Sequence, residues 1–514
     1  MIRDWDRAPS NLHDFCCRSS LRLFGILTVI LFLPVVMAIP TFLLGKKRES
    51  LAKILGIGTT AGVFGISLII VVLFQYGNPG FQLTDTGEWA STFGLNYIVG
   101  VDGISLPLLI LASLLCLLAA AGSRDLISSR QPEYYALFLI FETGIIGVFT
   151  SLNLILFYVF WEIVLIPMFF FIGIWGGPRR KYASLKFLIF TYAGSAVMLF
   201  GFVALYAWTG SQGTPSFDYA TILTRSANIA MPFQVAASLA TFVGFAVKLP
   251  IFPLHTWLPD AHVEAPAPVS VLLAGLLLKM GGYGLIRYNL LLFPAADKLL
   301  WPVFTAIGLI TMIYGASVAF VAQDMKRMIA LTSVNHMGYV LLGTFTLGSI
   351  GVSAAVFQMF AHGLAVGMLF LMSGYIHEQT GTRNINELKG LRGRMPTTTL
   401  LLILASMAAM AVPGFANFIS EYQVIQGALS ANYLFGLAIL APALTVGYFL
   451  WMLRRVVMTP GVGPRNEIQL HSQLILTAFL VPLLVFGVYP LPLLGNAIKP
   501  TVDHLLSILF PGGK

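Results

Sequence analysis

The chain has 514 residues, of which 57% are hydrophobic and only 10% charged, with a formal balance of +9. Ordinary soluble domains carry about 25% charged residues, and a soluble chain of this length needs them to cover several domains. This composition excludes a soluble protein and indicates a polytopic membrane protein.

A transmembrane helix needs about 20 mostly apolar residues. After an N-terminal arm at 1–20, such stretches recur from Leu21 almost to the end. Their centres fall near Thr28, Gly65, Leu111, Phe141, Ile163, Met198, Ala246, Leu276, Gly308, Leu341, Val366, Met407, Ile439 and Leu480. The expected fold is an all-α polytopic membrane protein with about 14 transmembrane helices. Polar gaps near 76–100, 209–230, 377–396 and 456–472 are too short for a soluble domain. The arm lacks the apolar core of a secretory signal, and its mix of acids and bases is unlike a transit peptide.

Lys and Arg collect on cytoplasmic loops. Here they cluster at 46–53, 124–130, 179–186, 326–327, 383–394 and 454–465, whereas the alternate loops hold only Arg225, Arg287 and Lys298. That alternation predicts an even helix count with both termini outside; the length, the helix count and the lack of a transit-type arm favour a bacterial inner membrane, where that side is periplasmic. Arg3, Arg7, Arg18 and Arg22 in and beside the arm run against it. The basic residues form no single face for nucleic acid. Cys16, Cys17 and Cys116 form no C-x-x-C pair and no metal-ligand spacing.

Several ionisable residues fall inside the spans. Lys248 (AVKLPIF) and Lys279 (LLLKMGG) are bases; Glu142 (IFETG), Glu162 (FWEIV) and Glu421 (ISEY) are acids; His336 and His362 titrate near neutrality. A charge at this depth costs at least about 2.5–3.5 kcal/mol. One such residue alone is readily a packing device, and Lys279 has the reach to snorkel. Acids, bases and histidines spread over separate helices are what a proton or ion relay requires, because burial favours the neutral forms and brings proton exchange towards physiological pH.

Lys248 precedes Pro250 and Pro253, and Pro413-Gly414 precedes Asn417 and Glu421. Proline removes a backbone donor, and the freed carbonyls persist in a membrane only when enclosed by protein or lining a wet cavity. Both helices should therefore break beside an ionisable group. They are the seventh and twelfth spans, and an odd five-span offset inverts the second unit. The expected architecture is two inverted five-helix repeats, 131–290 with its break at 248–253 and 296–456 with its break at 413–417. These follow N-terminal helices at 21–130 and precede a last helix and tail at 457–514. Gly56–Ala61 mimics a dinucleotide fingerprint but lies in an apolar helix, where small residues serve packing. No nucleotide, flavin, metal or iron–sulfur motif is present, and a haem between His336 and His362 would generally want a second histidine pair.

The run KLPIFPLHTWLPDAHVEAPAPVSVLLAGLLLKMGGYGLIRY at 248–288 resembles the signature of the antiporter-like membrane subunits of respiratory complex I, the NADH–quinone oxidoreductase. FWEIVLIPMFFFIGIWGG (160–177), DMKRMIALTSVNHMGYVLLG (324–343), QMFAHGLAVGMLFLMSG (358–374) and VPGFANFISEY (412–422) resemble further blocks of that family, in the same order. The resemblance implies a cofactor-free, proton-translocating module, with flavin, iron–sulfur clusters and quinone in partner subunits. Its partners would be other membrane-arm subunits, especially neighbouring antiporter-like chains. Glu162 and Lys248 match the family's switchable acid–base pair, with Glu142 ranked below Glu162. Lys279 matches the central lysine, His336 and His362 the histidines beyond it, and Glu421 the terminal acid. Alternatives are a subunit of a multi-chain sodium/proton antiporter, a subunit of a membrane-bound hydrogenase, or a scaffold whose charges only serve packing.

Overall fold

The computed structural model describes residues 25–90, 93–459 and 466–510. The N-terminal arm, with Cys16 and Cys17, lies outside the described residues. Apolar stretches close their backbone hydrogen bonds internally, as a bilayer demands, and give a helical bundle. It opens with α1 (Ile26–Gly45) and α2 (Glu49–Leu73), then a hairpin of β1 (Gln82–Ala90) and β2 (Leu95–Val101). Next come α3 (Ser105–Leu126), α4 (Gln131–Thr150), α5 (Leu154–Ile163), α6 (Leu165–Trp175), α7 (Arg180–Ser211), α8 (Tyr219–Arg225), α9 (Met231–Lys248) and α10 (Trp257–Glu264). The central helix runs through α11 (Ala267–Leu272), a π turn at Leu273–Leu277, α12 (Leu278–Gly284) and a second π turn at Leu285–Leu290. Then follow α13 (Pro294–Phe320), α14 (Met325–Thr344), α15 (Ser349–Thr380), α16 (Leu391–Arg394), α17 (Pro396–Ala409), α18 (Ala416–Ala431), α19 (Leu440–Val457), α20 (Leu470–Val488) and α21 (Lys499–Leu509). Prolines open α4, α9, α11, α13 and α17, at positions where the missing N–H costs nothing.

Twelve helices among the described residues are long and apolar enough to cross a membrane. Of the fourteen expected centres, Leu341 and Met407 fall outside these twelve. Leu341 lies in α14, which is diluted by Lys326, Arg327, Asn335 and His336, and Met407 lies in α17, which stops after 14 residues at a break. The spans Ala267–Leu290 and Ser349–Thr380 are enclosed on all sides by the others, whereas α1 and α2 turn Val36, Ile39 and Val72 outward, as lipid-facing helices do.

Two features differ from the sequence reading. The polar gap at 76–100 holds an antiparallel hairpin, with Gly87 opposite Tyr97 and a register shift near Ala90. Its mixed Thr, Asp, Gly and Glu content hides the period of two. Asp85 of β1 ties it to α1, accepting from the Thr28 N–H at 2.9 Å and hydroxyl at 2.8 Å. Arg287 is not in a loop. It is fully buried in the second π turn, 2.5 Å from Asp102, with the rings of Phe81, Tyr283 and Tyr219 at 4.9, 5.5 and 5.7 Å.

Candidate functional site

Helix α9 ends at Lys248, and the chain resumes helical form only at Trp257. The indole N–H of Trp257 donates to the freed carbonyl of Val247 at 2.9 Å, and Thr311 Oγ1 accepts from the Phe252 N–H at 3.1 Å. The break is thus satisfied from within the protein. Lys248 is 1% exposed and its Nζ has no hydrogen-bond partner. It faces the ring of Trp161 at 5.1 Å and that of Phe187 at 6.0 Å.

Glu162 follows Trp161 on α5, whose start is fixed by Asn153. That side chain accepts from the N–H groups of Ile155 and Leu156 at 3.1 and 3.2 Å. Glu162 and Lys248 form no ion pair, and Glu162 Oε1 is buried without a partner. Glu142, on α4, is fully buried with neither oxygen partnered. The residue before Glu162, Trp161, thus faces Lys248 across the break, while Glu142 lies on a separate helix.

The other four residues form one continuous run. Lys279 Nζ donates to the carbonyl of Ala274, inside the first π turn, at 2.5 Å and lies 2.6 Å from His362 Nδ1. The His362 and His336 rings stand 5.2 Å apart at 77°. His336 Nε2 is 3.5 Å from Glu421 Oε1, which also accepts from Gln358 Nε2 at 3.4 Å. Gln358 and His362, four residues apart, share one face of α15, and Ser420 donates to Gln358 Oε1. Four separate helices (α12, α15, α14 and α18) supply this run.

Glycines permit the approach. A Cβ on Gly363 would meet Leu111 Cδ2 at 2.7 Å and the Gly275 carbonyl at 3.1 Å, so only glycine brings α15 this near the Lys279 helix. Gly281 lies equally tight on the backbone of Phe245 and Leu249, beside the first break. Asp324 starts α14 by accepting from the Arg327 N–H at 2.9 Å, which sets the turn that carries His336. At the second break, α17 ends at Ala409, whose carbonyl faces His336, and α18 resumes at Ala416. Gly414 there adopts φ +100°, a conformation that favours glycine.

A family model described as NADH:quinone oxidoreductase/Mrp antiporter, TM, matches residues 151–445, and one described as NADH-ubiquinone oxidoreductase chain 4, amino terminus, matches residues 27–159. The chain belongs to the antiporter-like membrane-subunit family of NADH:quinone oxidoreductase. It is 37% identical to NADH-quinone oxidoreductase subunit M of Rhodobacter capsulatus, over 94% of this chain and 96% of that relative. It is 36% identical to the F(420)H(2) dehydrogenase subunit M of Methanosarcina mazei, over 92% and 96%. A chain of respiratory complex I from Thermus thermophilus superposes with a TM-score of 0.86 at 26% identity, over 95% of this chain and all of that one.

Sequence reasoning missed two buried groups beside the run in this antiporter-like fold. His262 stacks on Phe370 at 4.4 Å and 5°, with neither ring nitrogen partnered. Lys326 is 3% exposed and donates to the carbonyl of Ala265. It reads as a loop charge because exposed Arg327 follows it, and only the face it takes on α14 tells the two apart.

Proposed function

We propose that this chain is a subunit M type, proton-translocating membrane subunit of an NADH:quinone oxidoreductase in a bacterial inner membrane. The observation that supports this best is the buried run from Lys279 through His362 and His336 to Glu421. Glu162 is the switch at one end: its carboxylate holds the proton on Lys248, and as it withdraws, burial favours the neutral amine and the proton leaves. The proton then passes to Lys279, between the two imidazoles, and to Glu421. Orphaned polar atoms on Lys248, His336, His362 and Asn417 suit water-bridged transfer.

In this reading the redox centres belong to partner chains, and the driving signal is electrostatic, transmitted from quinone reduction through neighbouring membrane-arm subunits. Both termini lie on the periplasmic side. The direct test is to solubilise the membrane gently and ask whether this chain migrates on a native gel with a band that oxidises NADH. Similarity to the Methanosarcina mazei subunit favours a second reading, in which the same module serves a dehydrogenase with another electron donor. Migration with a band inert to NADH but active with a different reduced donor selects that reading.

A further inference from the structure

We propose that the outer half of α9 carries a proton-release branch ending on the carboxylate of Asp297, closed off from Lys248 by Phe245. The branch rests on the relay reading above, since it drains Lys248. Gln234, Ser238, Thr241 and Lys248 are spaced by four, three and seven residues, and so line one face of α9. Against the first three packs a polar cluster at the start of α13 and the second π turn. Ser238 Oγ donates to Asp297 Oδ1 at 2.8 Å, and Asn289 Nδ2 donates to the Ser238 carbonyl at 2.8 Å and to Thr241 Oγ1 at 2.9 Å. Gln234 Oε1 accepts from the N–H groups of Ala295 and Ala296 at 3.1 and 3.3 Å.

Asp297, Asn289, Ser238 and Thr241 are all 0% exposed. A carboxylate in the first turn of α13 gains from the helix dipole, and the Ser238 bond ties α13 to α9. Those two roles account for one oxygen. Asp297 Oδ2 and Asn289 Oδ1 are buried with no partner, and a purely structural clasp does not need a carboxylate held half-satisfied. The surface is close, because Ala295 and Lys298 on either side of Asp297 are exposed.

The stripe has one interruption. Thr241 and Lys248 are about 10 Å apart along the axis, and Phe245 occupies the same face between them. Its ring packs on those of Trp161 at 5.6 Å and Phe157 at 6.3 Å. An aromatic plug in an otherwise polar file is a dewetting gate. When it opens, the Lys248 ammonium gives one proton to water entering the gap and becomes the neutral amine. The proton passes through that water along the face lined by Thr241 and Asn289 to the Ser238 hydroxyl, which takes it up while handing its own proton to the Asp297 carboxylate, so that Asp297 becomes the acid. Asp297 then releases it to water of the outer phase, and Lys248 is reprotonated from the Glu162 side.

The test uses the assembled complex in sealed vesicles, with proton movement normalised to electron transfer. Asp297→Asn keeps the acceptor for Ser238 and is expected to slow coupled turnover about tenfold or more, with a larger solvent isotope effect and recovery in Asp297→Glu. Phe245→Ala is expected to raise passive proton leak, and Phe245→Ala/Lys248→Ala to abolish that leak. A normal proton-to-electron ratio in Asp297→Asn, alongside a loss in Lys248→Ala, overturns the branch and leaves the relay standing. Normal pumping in Lys248→Ala overturns the relay and the branch together. Should Asp297→Asn fail to assemble, an unchanged leak in Phe245→Ala still overturns the proposal.

Discussion

Nζ of Lys279 lies 2.6 Å from Nδ1 of His362 while donating to the carbonyl of Ala274. A lysine placed this way is within proton-exchange distance of the imidazole, and its role as a carrier separates from its role as a charge. Lys279→Arg keeps the charge, but a guanidinium does not deprotonate in proteins. Proton uptake by coupled vesicles should fall as far in Lys279→Arg as in Lys279→Met. Near-normal pumping in Lys279→Arg would mean that only the charge matters.

Glu162 follows Trp161, whose ring faces Lys248 at 5.1 Å, whereas Glu142 is buried on α4 with neither oxygen partnered. In the assembled complex, Glu162→Gln should lower coupled turnover about tenfold or more, and Glu142→Gln much less. Equal losses, measured as proton movement per electron pair, would reverse that ranking.

The hop between Lys279 and His362 depends on a crossing only glycine allows. Gly363→Ala places a methyl group 3.1 Å from the Gly275 carbonyl and closer still to Leu111. Backbone on one side cannot swing away, so α15 has to move. The cost is about 1–3 kcal/mol, read as a lower thermal midpoint. Loss of coupling should exceed what that instability explains. Unchanged coupling at a normal midpoint would show that the helices have slack.

Trp257 closes the first break by donating to Val247. Trp257→Phe keeps the ring but leaves that buried carbonyl unpaired, at about 1–3 kcal/mol. Thermal unfolding of the purified complex checks this, and an unaltered midpoint would show that another donor replaces the indole.

Asp102→Asn should be the most destabilising of these changes, because a buried guanidinium loses its counter-charge, at about 3–5 kcal/mol. Removing the guanidinium as well, as in Asp102→Asn/Arg287→Met, should recover much of the loss, since no buried charge is left unpaired and the Asn oxygen still accepts from the Ile104 and Ser105 N–H groups. Membrane abundance of the chain measures both. A double variant no better than Asp102→Asn would show that the loss does not come from the unpaired charge.

Much of this was legible in the residues. Lys248, Lys279, His336, His362 and Glu421 announce themselves because a lone polar residue in an apolar run carries a large penalty, and Pro250 and Pro413 mark the two interruptions. Arg287 and Lys326 were hidden, since a basic residue near a span end reads as a topology signal and only packing reveals which way it turns. Asp297 was hidden for the same reason, beside exposed Lys298. The hairpin was hidden because its strands pair by backbone and carry no clean alternation. Sequence also gives no sign of how closely two helices cross, which is why the glycine contact at Gly275 and Gly363 emerges only in three dimensions.

The Arg287–Asp102 pair also imposes an order on biogenesis. The helix that carries Lys279 brings a guanidinium into the bilayer, and an isolated helix pays at least about 2.5 kcal/mol for that. Its counter-charge is synthesised 185 residues earlier. Asp102, at the foot of the hairpin, is therefore already synthesised when Arg287 leaves the ribosome. The ion pair acts as a late clasp: the central helix settles only once the N-terminal third of the chain is there to receive it.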